Sequence, residues 1–599
     1  MKFGRMVGAL AISCLMSSWG FSQPFYVALN GDDTNPGTEA LPWRTIQKGA
    51  SSAIPGSSVF VKAGVYNEKV IINVSGSESA GHVTFRPFGN DTVVVDGSGI
   101  AGQNIFEIAD KSYIRIAGFT IRNNHIPAGS IPYGGSGIRV IGESHNIVLQ
   151  HNTIHNITGE GAMGITIYGT SALSPVHDIL VDGNTIHDCQ PAPSEALTLS
   201  GNVTDFQVIY NVVHDVNNIG IDFPGFFGIC PDTSLDYPRK GTCRWNSVYN
   251  CRDTSAGGFA AGIYVDGGSN ILVEGNVVTS NNIGIAVGCE VPGRVADSVR
   301  VESNFIFKND RRGISIGGFQ FPDSTGFVRN SSIRFNTLFA NDQLVTREGE
   351  LLIDYASHCF IEGNIFHSSA QNVLVLSNVN VLTNDVRLDY NLWFTPGGDS
   401  SNAVFRMNGI AGHEYASFNE YRTAIGMDQH SIFSNPQFVN GSFNAPNLHL
   451  LNSSPAINAG DPSFVAMSDQ YDIDEEPRAM GSRVDIGADE LTITASANVA
   501  RENPPPAFML HQNYPNPFNP TTLIRFSVRR PSDKVEVSEM AMLNVYDILG
   551  REITQLLHER LPAGLHELRF DASNLPSGVY FYRLIAGGFV QTRRMLLLK

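Results

Sequence analysis

Positive charge is scarce in this chain of 599 residues: 40 Lys and Arg stand against 57 Asp and Glu, for a formal net charge of −17. A protein that grips nucleic acid needs a basic footprint, and one that lies on an anionic membrane surface needs the same, so both partners are excluded. Long apolar runs are absent beyond the first residues, which excludes a membrane-spanning helix in the mature chain. Helical periodicity is almost missing, and no phosphate-cradling Gly loop, HExxH pair or serine elbow stands in a fitting context. Cysteine is sparse at seven. Glycine, at 59, is plentiful and suits a backbone that turns sharply many times.

What the chain does have is a recurring asparagine. Asn152, Asn184, Asn211, Asn246, Asn276, Asn304, Asn336, Asn364 and Asn391 follow one another at intervals of 32, 27, 35, 30, 28, 32, 28 and 27 residues. Each sits between two alternating apolar stretches, as in NIVLQHNTIHNI and NILVEGNVVTSN, and a further short strand recurs between them (GITIYG, GIYVDGG, GIAVGCE). A repeat of about thirty residues with several short strands is the mark of a solenoid. An inward Asn at a turn is best satisfied by backbone and by the Asn of the next coil. The fold class is therefore all-β: a right-handed parallel β-helix, extending a core coil by coil where one compact core could not grow.

Residues 1–23 read as a secretory signal, with Lys2 and Arg5 before the apolar stretch Met6 to Met16 and cleavage between Gly20 and Gln23. Six cysteines remain after it, an even number in an exported protein. Cys230 and Cys243, which bracket one irregular loop, are the expected disulfide. The mature start, FYVALNGDDTNPGTEALPWRTIQKGASSAIPGSSVFVKAGVYNEKVIINVSG, resembles the N-terminal region of secreted β-helix proteins that include family 9 pectate lyases. In it Trp43 to Ala53 is expected as a short amphipathic helix over the open end of the first coil, whose strand edges would otherwise template aggregation. The stretches SPAINAGDP and RVDIGADE resemble terminal coils and cap of the same proteins. The β-helix is thus assigned to residues 24–490, and the Pro-rich stretch 491–506 is a linker. Residues 507–599, with YPNPFNPTT at the start and LPSGVYFYRL near the end, closely resemble the C-terminal sorting domain of the type IX secretion system, a small β-sandwich. That resemblance implies passage through the type IX machinery and a secreted or surface-attached protein; a monomer is expected.

Outward side chains of successive coils align about 4.8 Å apart and make the working faces. Aligning the Gly-initiated strands gives one outward column of Thr166, Thr198, Asp222, Tyr264, Ala286 and Ser315, and a second with Asp266. Asp222 and Asp266 then lie diagonally, Cα atoms roughly 7–8 Å apart, with Glu195 and Glu290 on the flanking coils. The longest interval, Asn211 to Asn246, carries an elaboration (224–245) offering Tyr237 for sugar stacking and Arg239, Lys240 and Arg244 as cations. An extracellular polysaccharide is the expected partner. β-Elimination on a uronate needs a base, a neutralised carboxylate and a departing oxygen. The pectate-lyase resemblance implies a lysine base, for which Lys240 fits by type and place. It also implies calcium, for which Asp222, Asp266 and Glu290 are the expected ligands. Glu195, Tyr264, Tyr237, Arg239 and Arg244 are expected to hold substrate. A calcium-assisted lyase of uronate-containing glycans is therefore the first reading; the same carboxyl pair also suits an inverting glycoside hydrolase, the second, and a non-catalytic adhesin is the third class. His155, His187 and His214, in register on three coils, are expected to stack as a ladder.

Overall fold

The computed structural model describes residues 24–491 and 509–597, apart from short internal stretches of which the longest are 318–324 and 529–538. The expected signal, 1–23, and all but the first residue of the expected linker lie outside the described residues. From Phe25 the chain winds into three stacked sheets of 16, 13 and 13 strands, parallel throughout except at the final coil and wound right-handed. One coil comprises His145–Gln150 in the first sheet, Thr153–Gly159 in the second and Ala162–Gly169 in the third. The next repeats it as Val176–Asp182, Thr185–Cys189 and Leu197–Gly201.

Alternation drives the interior. Ile154, Ile186, Val213, Val248, Val278, Ile306, Leu338, Phe366 and Trp393 pair in register from coil to coil, and all are fully buried. Each side chain removes about 1.5–3 kcal/mol worth of apolar surface from water. The nine asparagines form the expected ladder at the corner between the first and second sheets. Every Nδ2 donates to the next Oδ1 at 2.8–3.1 Å. The ladder ends on Ser431 and Asp428, which receive the backbone N–H and Nδ2 of Asn391. The residue before each ladder Asn turns the corner with a left-handed φ of 54–69°, from His151 through Gly183 and Tyr210 to Tyr390. Glycine is needed at this corner where the preceding coil places a ring over it: a Cβ on Gly275 would meet the Trp245 indole at 2.5 Å. A second, shorter ladder runs Asn281, Asn309, Asn341 and ends on Glu350.

Helix α1, Ile46–Ser52, caps the open first coil, shorter than the expected 43–53 by its two ends. Thr45 caps its N-terminus, the Glu68 carboxylate accepts the Ile46 and Gln47 N–H groups, and Ile46 and Ala50 are buried in the core cluster that includes Val59 and Phe85. At the other end the structure departs from expectation. Coil strands end at Ile432–Phe433, and the stretch to residue 491 doubles back along the outside of the second sheet instead of adding coils. Its Leu448, Leu450, Ala456, Ile473, Ile486 and Ala488 cover Val277, Phe305, Phe339, Ile365 and Leu392. Contacts such as Gly487 N to Gly363 O at 2.8 Å and Ser303 Oγ to Tyr471 O at 2.8 Å tie it down. An outward apolar stripe on a solenoid sheet needs such a cover, and the ends of a solenoid are where one is supplied. Residues 509–597 make three- and four-stranded antiparallel sheets around their own core of Phe526, Leu543, Tyr582 and Leu584.

Removing a rung leaves its neighbours' buried donors without an acceptor. Asn276→Ala, which deprives Asn246 of the oxygen that accepts both its N–H and Nδ2, is expected to cost about 1–3 kcal/mol. The shift of the urea midpoint measures it, with an exposed Asn such as Asn440 as control.

Candidate active site

The third sheet carries the chemistry, and its register is the expected one. Thr166 pairs with Thr198, Thr198 with Asp222, Asp222 with Tyr264, Tyr264 with Ala286 and Ala286 with Ser315. The intervening Ile165, Leu197, Ile221, Ile263, Ile285 and Ile314 point inward and are buried, so Asp222 and Tyr264 face away from the core. Upstream the same column continues as Glu107 and Arg139. Sharp entry into these strands is made by glycines at Gly137, Gly164, Gly220, Gly262, Gly284 and Gly313, where an added Cβ would lie 2.4–2.6 Å from core side chains.

Four carboxyls converge here. Asp222 and Asp266 are each only 2% exposed although they face outward. Asp266 accepts the Glu290 N–H at 2.7 Å and Asp222 accepts the N–H of Phe223 at 2.6 Å. Burial raises both aspartates well above the usual carboxylate range, and the neighbouring acids add to it: Glu195, Asp266 and Glu290 act on Asp222, Glu290 and Glu195 on Asp266. Glu195 and Glu290, half-buried at the outer side, are lifted to about 7, chiefly by burial. Among the described residues, none of the four makes an ion pair with Lys, Arg or His. Tyr264 stands between them and is buried, its hydroxyl beside Gly288.

The elaboration after Asp222 is shorter than expected. It covers 224–238, because Arg239–Arg244 re-enters the first sheet as a strand beside Val203–Ile209 and Ser269–Glu274. This moves three expected site residues. Lys240 is exposed on that strand, on a different sheet from the acids, with a left-handed φ of 55°, and so is not placed as their base. Arg244 pairs with buried Glu274 at 2.8 Å, also on the first sheet. Arg239 donates to Asn202 Oδ1 at 2.9 Å and lies over the Tyr237 ring, which stacks on Phe226 with centroids 5.3 Å apart. Tyr237 and Arg239 are thus held in an internal stack, completed by Arg294, which the sequence reading missed, 4.8 Å over Phe226. Two aromatic rings flanking the acid-bearing strands are exposed, Phe227 at 50% and Phe259 at 44%, the latter with Arg311 4.2 Å over its ring. They stand beyond opposite ends of the strands that bear Asp222 and Asp266. Phe259 precedes its strand without any motif, so only the fold reveals it.

Two further expectations are settled by packing. Cys230 and Cys243 are free thiols, as are all six cysteines among the described residues. Cys243 points into the coil interior beneath Asn246, while Cys230 sits on the outer loop against Ser171 O, so the coil wall separates them. His155, His187, His214 and Tyr249 do stack, at 4.9, 5.1 and 4.8 Å, on the second sheet away from the acids. An open cavity of about 450 Å³ lies elsewhere, between Arg300, Glu302, Arg334 and the returning stretch Asp461–Gln470, where Arg300 pairs with Glu302 and Arg334 with Glu362. Among the described residues, the three groups whose ligand atoms all lie within 4.8 Å of one another are His449, Asp474 and Asp489, and not the expected calcium set Asp222, Asp266 and Glu290.

Over 431 residues the chain is 33% identical to the uncharacterized protein YwoF of Bacillus subtilis, covering 70% of this chain and 89% of that one. The chain belongs to the YwoF family. Residues 29–224 match the family described as a protein of unknown function (DUF1565), and residues 512–598 match the secretion system C-terminal sorting domain. The sorting module marks export to the outside or the cell surface, and no helix among the described residues is long and apolar enough to cross a membrane. Among solved structures, this YwoF-family chain is similar to pectate lyase Pel9A, at 14% identity and a TM-score of 0.43 over 79% of this chain and 97% of that one. It is also similar to an alginate lyase from Paenibacillus, at 15% identity and a TM-score of 0.37 over 52% and 95%.

Two outcomes are expected. A thiol reagent labels none of the native cysteines, and a reductant leaves Tm unchanged; labelling before and after denaturation counts them. The acid cluster also stores instability. Its folded-state pKa values lie above the unfolded ones, so stability is highest where both states are protonated, below about pH 4, and is lost as pH rises from there through about 7. Asp222→Asn is therefore expected to raise Tm by roughly 2–4 °C at pH 8 and hardly at all at pH 4.

Proposed function

We propose that this protein is a secreted, polysaccharide-acting β-helix enzyme that hydrolyses glycosidic bonds with the carboxyls of the third sheet. The observation that carries this reading is the contrast of environments within one cluster. Asp222 and Asp266 are enclosed, each 2% exposed, and surrounded by like charge that together with burial raises them well above the usual carboxylate range, whereas Glu195 and Glu290 are half-buried at the outer side and lifted to about 7. A hydrolase needs that pairing: a carboxylic acid to protonate the leaving oxygen and a carboxylate to activate water. Asp222, with three acids acting on it, is the proton donor, and Glu290 is the base. Tyr264 stands beside them, and the exposed Phe227 offers a ring face to a sugar beyond the strand that bears Asp222. The outer carboxyls Glu195 and Glu290, with no cationic partner, repel a polyuronate once ionised, which favours a neutral or weakly charged glycan.

The same absence of a cationic partner gives calcium-assisted β-elimination a second place. Asp222, Asp266 and Glu290 would hold the ion once it drew them closer, and calcium would supply the charge neutralisation that elimination requires. With Lys240 on another sheet, the base for that reaction would have to be a carboxylate.

Reducing ends and the ultraviolet absorbance of unsaturated products, followed on a panel of neutral and uronate glycans with calcium or chelator, separate the readings. Hydrolysis predicts reducing ends without absorbance and without dependence on metal. Asp222→Asn and Glu290→Gln are then expected to lose about 10²–10⁴-fold in rate, while Lys240→Ala retains it. Absorbance that appears only with calcium would overturn the hydrolase in favour of the lyase, and binding without either product would leave an adhesin.

A further inference from the structure

The returning segment holds a second cluster that the chemistry above does not use. His449, on the strand Asn447–Leu450, is 1% exposed, and its ring packs edge-on against Phe305 of the second sheet. Asp474 and Asp489 reach it from two later turns of the same segment, and one atom from each of the three lies within 4.8 Å of the others. The tautomer of His449 follows from its neighbours. Asn447 Oδ1 accepts the His449 backbone N–H at 3.3 Å, so the same oxygen must accept, at 2.6 Å, a proton carried by Nδ1. Nε2 is thereby directed at Asp474 Oδ2, 3.2 Å away.

Carboxylate oxygen is in surplus around it. Asp474 is nine-tenths buried, and its Oδ1 has no hydrogen-bond partner. Asp489 Oδ2 accepts the Leu450 N–H at 2.7 Å. Asp472 is consumed in shaping the loop, accepting the N–H groups of Asp474, Glu476 and Glu490. A buried oxygen without a donor costs about 1–3 kcal/mol, and a buried charge more, unless something positive meets it. The separation also suits an ion: ligands 2.0–2.2 Å from a tetrahedral centre stand roughly 3.3–3.6 Å apart, close to the His449–Asp474 distance. A histidine whose other ring nitrogen donates to an amide oxygen is the usual outer support of a metal-bound imidazole.

We propose that His449, Asp474 and Asp489 form a structural site for one divalent ion of the zinc or manganese class, which staples the returning segment together over the second sheet. The imidazole sets the class, because calcium takes oxygen ligands alone. Water completes the coordination. The site packs on the second sheet, apart from the carboxyls of the third, so its role is mechanical: Ala456, Ile473 and Ile486 pack with Phe305, Phe339 and Ile365 in one apolar cluster that the folded loops hold in place.

The test uses the full chain, stripped with chelator and dialysed, then titrated with Zn²⁺, Mn²⁺ and Ca²⁺ by calorimetry and thermal melting. One equivalent of Zn²⁺ or Mn²⁺ is expected to bind and to raise Tm by about 5 °C. His449→Gln and Asp474→Asn are expected to weaken that binding at least tenfold. Because either variant could misfold, Co²⁺ is added to the wild-type chain as well: visible absorption of a tetrahedral nitrogen–oxygen site supports the proposal without any substitution. A folded wild-type chain that binds neither ion, binds calcium alone, or binds equally well in both folded variants overturns it. Glycan cleavage is not the readout, so the outcome is independent of the enzymatic reading.

Discussion

Hydrogen bonding from coil to coil is the constraint from which the rest of this structure follows. Each strand satisfies its backbone against the equivalent strand one turn away, which sets coils about 4.8 Å apart and leaves no freedom to slip, because a one-residue shift would exchange the two faces. The asparagine ladder reinforces that register where it is weakest, at the corner turned by left-handed residues such as Tyr210 and Tyr390. Its side-chain amides bond both to one another and to the backbone, so nine polar groups stay buried without an orphan among their Nδ2 atoms.

Once the coils are in register, chemistry on the outer face becomes a matter of columns. Glu195, Asp222, Asp266 and Glu290 come from separate coils, yet stacking brings them together, with Asp222 and Asp266 enclosed and Glu195 and Glu290 half-buried at the outer side. Burial and mutual repulsion, not a basic partner, set their protonation. The stable solenoid tolerates this strain because neighbouring coils, each with its own buried column of Ile, Leu and Val, hold the strands in place.

The second sheet meets a different need. Its outer stripe of Phe305, Phe339, Ile365 and Leu392 would be an exposed apolar patch, and the returning segment covers it with few regular elements of its own. Val212 and Tyr249, further toward the start, are covered instead by Val579, Phe581 and Leu596 of the sorting module. Segments this irregular depend on side-chain and loop hydrogen bonds, which explains why Asp472, Asp485 and Asp489 are spent on backbone N–H groups.

Much of this was legible from residue order. The period of the asparagines gave the coils, and the alternation around them gave the faces. Asp222 and Asp266 fell where parity and register put them, because a repeat of period two stacked at constant spacing transmits sequence position directly into space. Lys240 and Arg244 did not: a loop's length can be counted, but the point at which Arg239 rejoins the first sheet depends on pairing with Thr204 and Ser269. The supposed Cys230–Cys243 bridge failed for the same reason, since facing inward or outward is decided by that pairing. Phe259, Arg294, the course of residues 434–491 and the meeting of His449 with Asp474 and Asp489 rest on contacts across tens or hundreds of residues. Local sequence determined the coil and what each strand shows to either side; only tertiary packing decided which loops return, what they cover and which charges they bring together, because those contacts have no period for the sequence to display.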